Sequence, residues 1–95
     1  MVVEKKIIIK NKAGLHARPA ALFVQVANKY QSEIVVSKGK EKVNGKSIMG
    51  ILMLAAGKDT PVTITASGPD AEEAVGELSK LLSETQDPEF GGKLK

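Results

Sequence analysis

The chain of 95 residues contains no cysteine and no tryptophan, one histidine, one tyrosine and two phenylalanines. Without thiols there can be no disulfide scaffold, cysteine-ligated metal centre, c-type haem attachment or thiol nucleophile. His16 is the only imidazole, so any nitrogen chemistry of that kind must use it. Long apolar runs are missing as well, and nothing approaches the ~18 residues of a membrane span. The amino-terminal MVVEKKIIIK is too short an apolar stretch for a secretory signal, and no small-residue cleavage site follows a proper apolar core. The expectation is a cytoplasmic protein with no membrane insertion, no metal and no cofactor.

What is present is the composition of a globular domain, with 42% hydrophobic and 26% charged residues. A chain of this size builds one core and buries roughly 60 to 70% of its extended surface on folding. The net charge of +3 is unevenly spread: through Lys58 there are eleven Lys/Arg against three Asp/Glu, and from Asp59 to Ser83 one against five. The basic part suits an acidic partner, a phosphate or nucleic acid.

The β-branched run Val2 to Lys10 predicts a strand ending at the turn-like Asn11-Lys12-Ala13-Gly14. From Pro19, which fits only a first helical turn, Leu22, Phe23, Val26, Ala27 and Tyr30 recur at helical spacing. Glu33 to Lys38 and Lys42 to Asn44 read as two strands joined by a tight hairpin. Ser47 can cap a short apolar helix over Ile48 to Leu54 that Gly57 closes. Val62, Ile64 and Ala66 alternate with polar neighbours as a half-buried strand does. Asp70 and Glu73 have capping-box spacing ahead of the stripe Ala71, Ala74, Val75, Leu78, Leu81 and Leu82. The order β-α-β-β-α-β-α predicts an α+β fold, with three helices on one side of a four-stranded, largely antiparallel sheet. The domain is expected to span 1–83, and the Gly-, Pro- and charge-rich residues 84–95 to form a flexible tail.

The most specific local feature is Gly14-Leu15-His16-Ala17-Arg18-Pro19, an imidazole and an arginine at a helix entrance. Unpaired amides and the helix dipole favour an anion there. An imidazole, with an ordinary pKa of about 6.5, is largely neutral at pH 7 and can attack phosphorus. Arg18 and the amides of Ala17 and Arg18 could then hold the new charge. The same arrangement also describes a helix-end histidine beside a surface arginine. In the second helix, Ile48, Met49 and Leu52 and the pair Ile51 and Leu54 cannot all be buried under one thin sheet, so the first set is expected to form an exposed apolar patch. Gly39 to Ser47 ends in Gly-Lys-Ser like a P-loop, but the spacing between the glycines is one residue too long. ATP binding is rejected on that ground.

Asn11-Lys12-Ala13-Gly14-Leu15-His16-Ala17-Arg18-Pro19-Ala20-Ala21, with Lys46-Ser47-Ile48-Met49-Gly50 further on, resembles the HPr family, the histidine-containing phosphocarriers of the bacterial phosphoenolpyruvate-dependent sugar phosphotransferase system. The resemblance covers residues 2 to 83 and implies an open-faced β-sandwich. It also implies a monomeric, non-enzymatic carrier phosphorylated on His16 Nδ1 by enzyme I and discharged by an EIIA domain. Arg18 would stabilise the group in transfer, and Ala21, Ile48, Met49 and Leu52 would dock partners. Ser47 matches the serine that HPr kinase/phosphorylase modifies in Gram-positive members, the product binding the catabolite control protein CcpA. Ala13 departs from a family position that often carries a small polar group able to cap the phosphate. A regulatory phosphoacceptor of the nitrogen-related branch is the alternative within the family. A nucleic-acid module is the alternative outside it, disfavoured because Phe23, Tyr30 and Phe90 all fall outside the predicted strands.

Overall fold

The computed structural model describes residues 1–10, 17–54 and 56–83, and of residues 17–19 the backbone only. The clearest alternation in the sequence becomes the middle of the sheet. Strand β4 (Pro61–Ser67) buries Val62, Ile64 and Ala66 and leaves Thr63 and Thr65 half-exposed on the opposite face. It pairs antiparallel with β1 (Val2–Ile8) on one side and β2 (Glu33–Lys38) on the other, and β3 (Glu41–Asn44) completes the order β1-β4-β2-β3. The register sets Ile7 opposite Val62, Ile34 opposite Ala66, Val36 opposite Ile64 and Val43 opposite Val36, which gathers the apolar side chains on one face. The other face carries Glu4, Lys6, Thr63, Thr65, Val35, Ser37, Lys42 and Asn44, with no aromatic ring among them. Every pairing is antiparallel, which sharpens the expected "largely antiparallel" sheet. The hairpin between β2 and β3 turns on Gly39 with φ of 60°, as a two-residue turn demands.

Helix α3 (Ala71–Ser83) packs on β1 and β4, α2 (Ile48–Leu54) on β3 and β2, and α1 (Ala17–Ala27) against α2 and α3. The fold is the expected α+β open-faced sandwich. None of the described helices is long and apolar enough to cross a membrane.

Four local expectations change. Strand β1 ends at Ile8 rather than Lys10, although buried Ile9 still donates its N–H to the Thr60 carbonyl at 3.1 Å. Helix α1 stops at Ala27, because the amides of Lys29 and Tyr30 donate to Val26 and Ala27 in tighter i→i−3 turns, and Tyr30 therefore lies beyond the helix. Gly57 does not take the left-handed conformation of a helix-closing glycine; the positive φ nearby, 71°, belongs to Asp59 in the turn before β4. Asp70 precedes α3 as expected, but its carboxylate accepts hydrogen bonds from the N–H of Gln31 (2.9 Å) and from the N–H and hydroxyl of Ser32 (3.0 and 2.6 Å). The predicted capping residue thus ties the α1–β2 loop to the start of α3.

Candidate functional site

The described residues on either side of the His16 segment have different surroundings. On one side Lys10 donates its N–H to the carbonyl of Leu82 at 3.0 Å, and the Ile9 carbonyl accepts from Asp59 at 2.7 Å. Ile9 and Lys10 are thereby pinned to the last turn of α3 and to the loop before β4. On the other side α1 begins at Ala17, the residue after His16, with no acidic residue in its first turn to offset the positive end. His16 and Ala13 lie outside the described residues, as do the side chains of Ala17 and Arg18. Ala21, expected at the docking face, is half-buried on α1 next to the fully buried Ala20.

The second half of the candidate site is α2. Its approach to the sheet depends on two glycines. A side chain at Gly45 would meet Ile34 Cγ2 at 2.5 Å, and one at Gly50 would meet the Asn44 carbonyl and Val43 Cβ at 3.3 Å. Ser47 is half-buried and caps the helix: its Oγ accepts the Gly50 N–H at 3.1 Å and its carbonyl accepts the Ile51 N–H at 3.0 Å. Ile51 and Leu54 face the core, as expected. Ile48 and Met49 are exposed, at 41% and 63%, whereas Leu52 is half-buried and packs against the core, so it forms the base of the patch rather than its surface. Met53, outside the expected patch, is the most exposed side chain of the helix at 72%. It lies one turn beyond Met49, and that i, i+4 spacing was the available signal. Because α1 packs on α2, the helix that follows His16 and the helix that carries the patch are neighbours.

The described groups with shifted pKa values have structural causes. Tyr30 is pushed up to about 12, first by its hydrogen bond to Glu77, and Glu77 is correspondingly held below its ordinary value by the Tyr30 hydroxyl. The Ser32 hydroxyl and the Gln31 amide hold Asp70 below the usual carboxylate range. These groups bind the end of α1 and the loop after it to α3.

This geometry meets an independent match. Residues 3–84 fit the family model described as "PTS HPr component phosphorylation site". HPr-like protein Crh from Halalkalibacterium halodurans is 51% identical over 81 residues, covering 85% of this chain and 96% of that protein. The phosphocarrier protein HPr of Neisseria meningitidis is 44% identical over 82 residues, covering 86% and 92%. The crystal structure of HPr-C-His from Thermoanaerobacter tengcongensis superposes with a TM-score of 0.85 at 50% identity, covering 97% of this chain and 99% of that one. The chain belongs to the HPr phosphocarrier family of the phosphotransferase system. Crh from Bacillus subtilis has been solved as a swapped dimer and the Thermoanaerobacter HPr also as a dimer, so the expected monomeric state does not follow from the family.

Proposed function

We propose that this protein is a cytoplasmic, stoichiometric phosphocarrier that receives a phosphoryl group from phospho-enzyme I on His16 Nδ1 and passes it to an EIIA domain. The observation that carries the reading is the family match over 3–84, joined to a chain whose sole histidine directly precedes the first residue of α1. In the transfer, the neutral imidazole nitrogen supplies the electron pair for the new N–P bond while the phosphorus separates from the donor nitrogen. The first-turn amides of α1 and the Arg18 guanidinium favour the resulting charge. The phosphoryl group rests on the protein itself as an N–P bond between the two transfers, so each group passed on uses one carrier molecule, as in a relay. Ala13 offers no side-chain donor to the phosphate, which leaves the backbone and Arg18 to hold it. Ala21, Ile48, Met49 and Leu52, with Met53 added, form the docking face. Mixing the protein with phosphoenolpyruvate, enzyme I and an EIIA domain tests the assignment: label reaches EIIA only when the carrier is present. A protein that accepts label but cannot discharge it to any EIIA domain is a terminal phosphoacceptor, and the relay reading fails.

A second role at Ser47 is favoured by the likeness to Crh, one solved form of which is described as a catabolite repression HPr. Here HPr kinase/phosphorylase transfers a phosphoryl group from ATP to the Ser47 hydroxyl, and the new charge beside Ile48 and Met49 alters which partner, CcpA among them, the face accepts. Incubation with that kinase and ATP should label the wild-type protein and leave Ser47→Ala unlabelled.

A further inference from the structure

Helix α1 has no basic residue in its last turn, so nothing within the helix compensates its negative end. The missing cation comes from the segment leading into α2. Lys46 Nζ donates to the Tyr30 carbonyl, just past the end of α1, at 2.6 Å. In return the Asn28 side-chain Nδ2 donates to the Lys46 carbonyl at 3.3 Å while also reaching the Val24 carbonyl at 2.9 Å. The Lys46 N–H is itself held by Asn44 Oδ1 at 2.9 Å. The amide, carbonyl and ammonium of Lys46 are therefore all engaged, two of them by the end of α1. This is a reciprocal latch in which each segment lends a side-chain donor to a carbonyl of the other. It sits immediately before Ser47, at the start of the helix that displays Ile48, Met49 and Met53.

We propose that Lys46, with Asn28, is a positioning residue that fixes α2 on α1 and so presents the α2 patch at a set angle to the entrance of α1, where a partner must engage both at once. The inference rests on the phosphotransfer reading above. A latch of this kind contributes to productive encounter with the partner and leaves the chemistry at His16 untouched. Its signature is a change in KM rather than in kcat. Because Lys46 is also a surface cation, its removal alone could weaken steering toward an acidic partner. Asn28 separates the two effects, since Asn28→Ala opens the latch without changing charge.

The test measures steady-state phosphoryl transfer from enzyme I at ~0.1 M and ~1 M salt, where the Debye length falls from about 10 Å to about 3 Å. Lys46→Met and Asn28→Ala should each raise KM by roughly three- to tenfold with kcat nearly unchanged, the penalty should survive high salt, and Lys46→Arg should restore wild-type values. Amide exchange gives an arm free of partners: the N–H groups of Lys29 and Tyr30 should exchange faster in Lys46→Met and Asn28→Ala and as in wild type in Lys46→Arg. If Asn28→Ala leaves both KM and exchange unchanged, or the Lys46→Met penalty vanishes in high salt, Lys46 acts only as a surface charge and the proposal is wrong. A wild-type protein that accepts no phosphoryl group at all overturns the phosphotransfer reading instead, and the exchange arm then decides the latch by itself.

Discussion

The Tyr30 hydroxyl donates a hydrogen bond to the Glu77 carboxylate, joining the chain just beyond α1 to the exposed side of α3. Lys29 reaches the same carboxylate at 3.5 Å. The bond favours neutral tyrosine and ionised glutamate. Tyr30 is the only tyrosine in a protein without tryptophan, so phenolate absorbance reports one group without interference. Its midpoint in the folded protein should be about 12 and should fall toward the ordinary value of 10.0 in Glu77→Gln. Because the folded value is raised, the stabilisation is complete below the ordinary value and is lost as pH rises through the folded one. A wild-type midpoint unchanged by Glu77→Gln would show that the bond does not form in solution.

Asp70 governs the acid side. Its pKa is depressed by the Ser32 hydroxyl and the Gln31 and Ser32 amides, so its contribution is present above the ordinary carboxylate value and disappears as pH falls through the folded one. Asp70→Asn should be less stable than wild type near neutrality, and the two denaturation midpoints should converge as the pH falls through the folded-state titration of Asp70. Parallel curves across that range would contradict this assignment.

Two glycines should respond in opposite directions. Gly68 has φ of 152°, and an added Cβ would stand 2.7 Å from the backbone Cα of Ser32. Gly68→Ala should cost about 1–3 kcal/mol in urea unfolding. Gly76 lies on the exposed side of α3 with open space around it. Gly76→Ala should add about 0.5–1 kcal/mol through helix propensity. Equal effects of the two substitutions would remove the steric account of Gly68.

Ser47 caps α2 through its Oγ. Ser47→Ala should lower stability by ~1 kcal/mol, while Ser47→Asp, which keeps an acceptor at the cap, should stay within about 0.5 kcal/mol of wild type. Chemical denaturation of the three proteins checks this. A loss in Ser47→Asp as large as that in Ser47→Ala would place the serine's contribution elsewhere.

Local rules made much of this architecture legible. The alternation of Val62, Ile64 and Ala66 fixed β4, and the sorting of Ile51 and Leu54 from Ile48 and Met49 gave the inner and outer sides of α2. The order β1-β4-β2-β3 was out of reach, because it depends on pairings between distant segments that no window of sequence contains. Asp70 shows the same limit. Its spacing to Glu73 matched a capping box, but its carboxylate is engaged by Ser32, 38 residues away. The contact of Lys46 was equally out of reach, since its partner is a backbone carbonyl beyond another helix. The candidate site was legible for a different reason: it is carried by contiguous motifs around His16 and Ser47, and contiguity needs no tertiary information.

If His16 is the acceptor, phosphorylation must be lost with its imidazole. Incubation of wild type and His16→Ala with radiolabelled phosphoenolpyruvate and enzyme I, followed by acid treatment, tests it most directly. Acid-labile label is expected on the wild-type protein, mapped to His16, and none on a folded His16→Ala variant. Full acid-labile labelling of His16→Ala would contradict it.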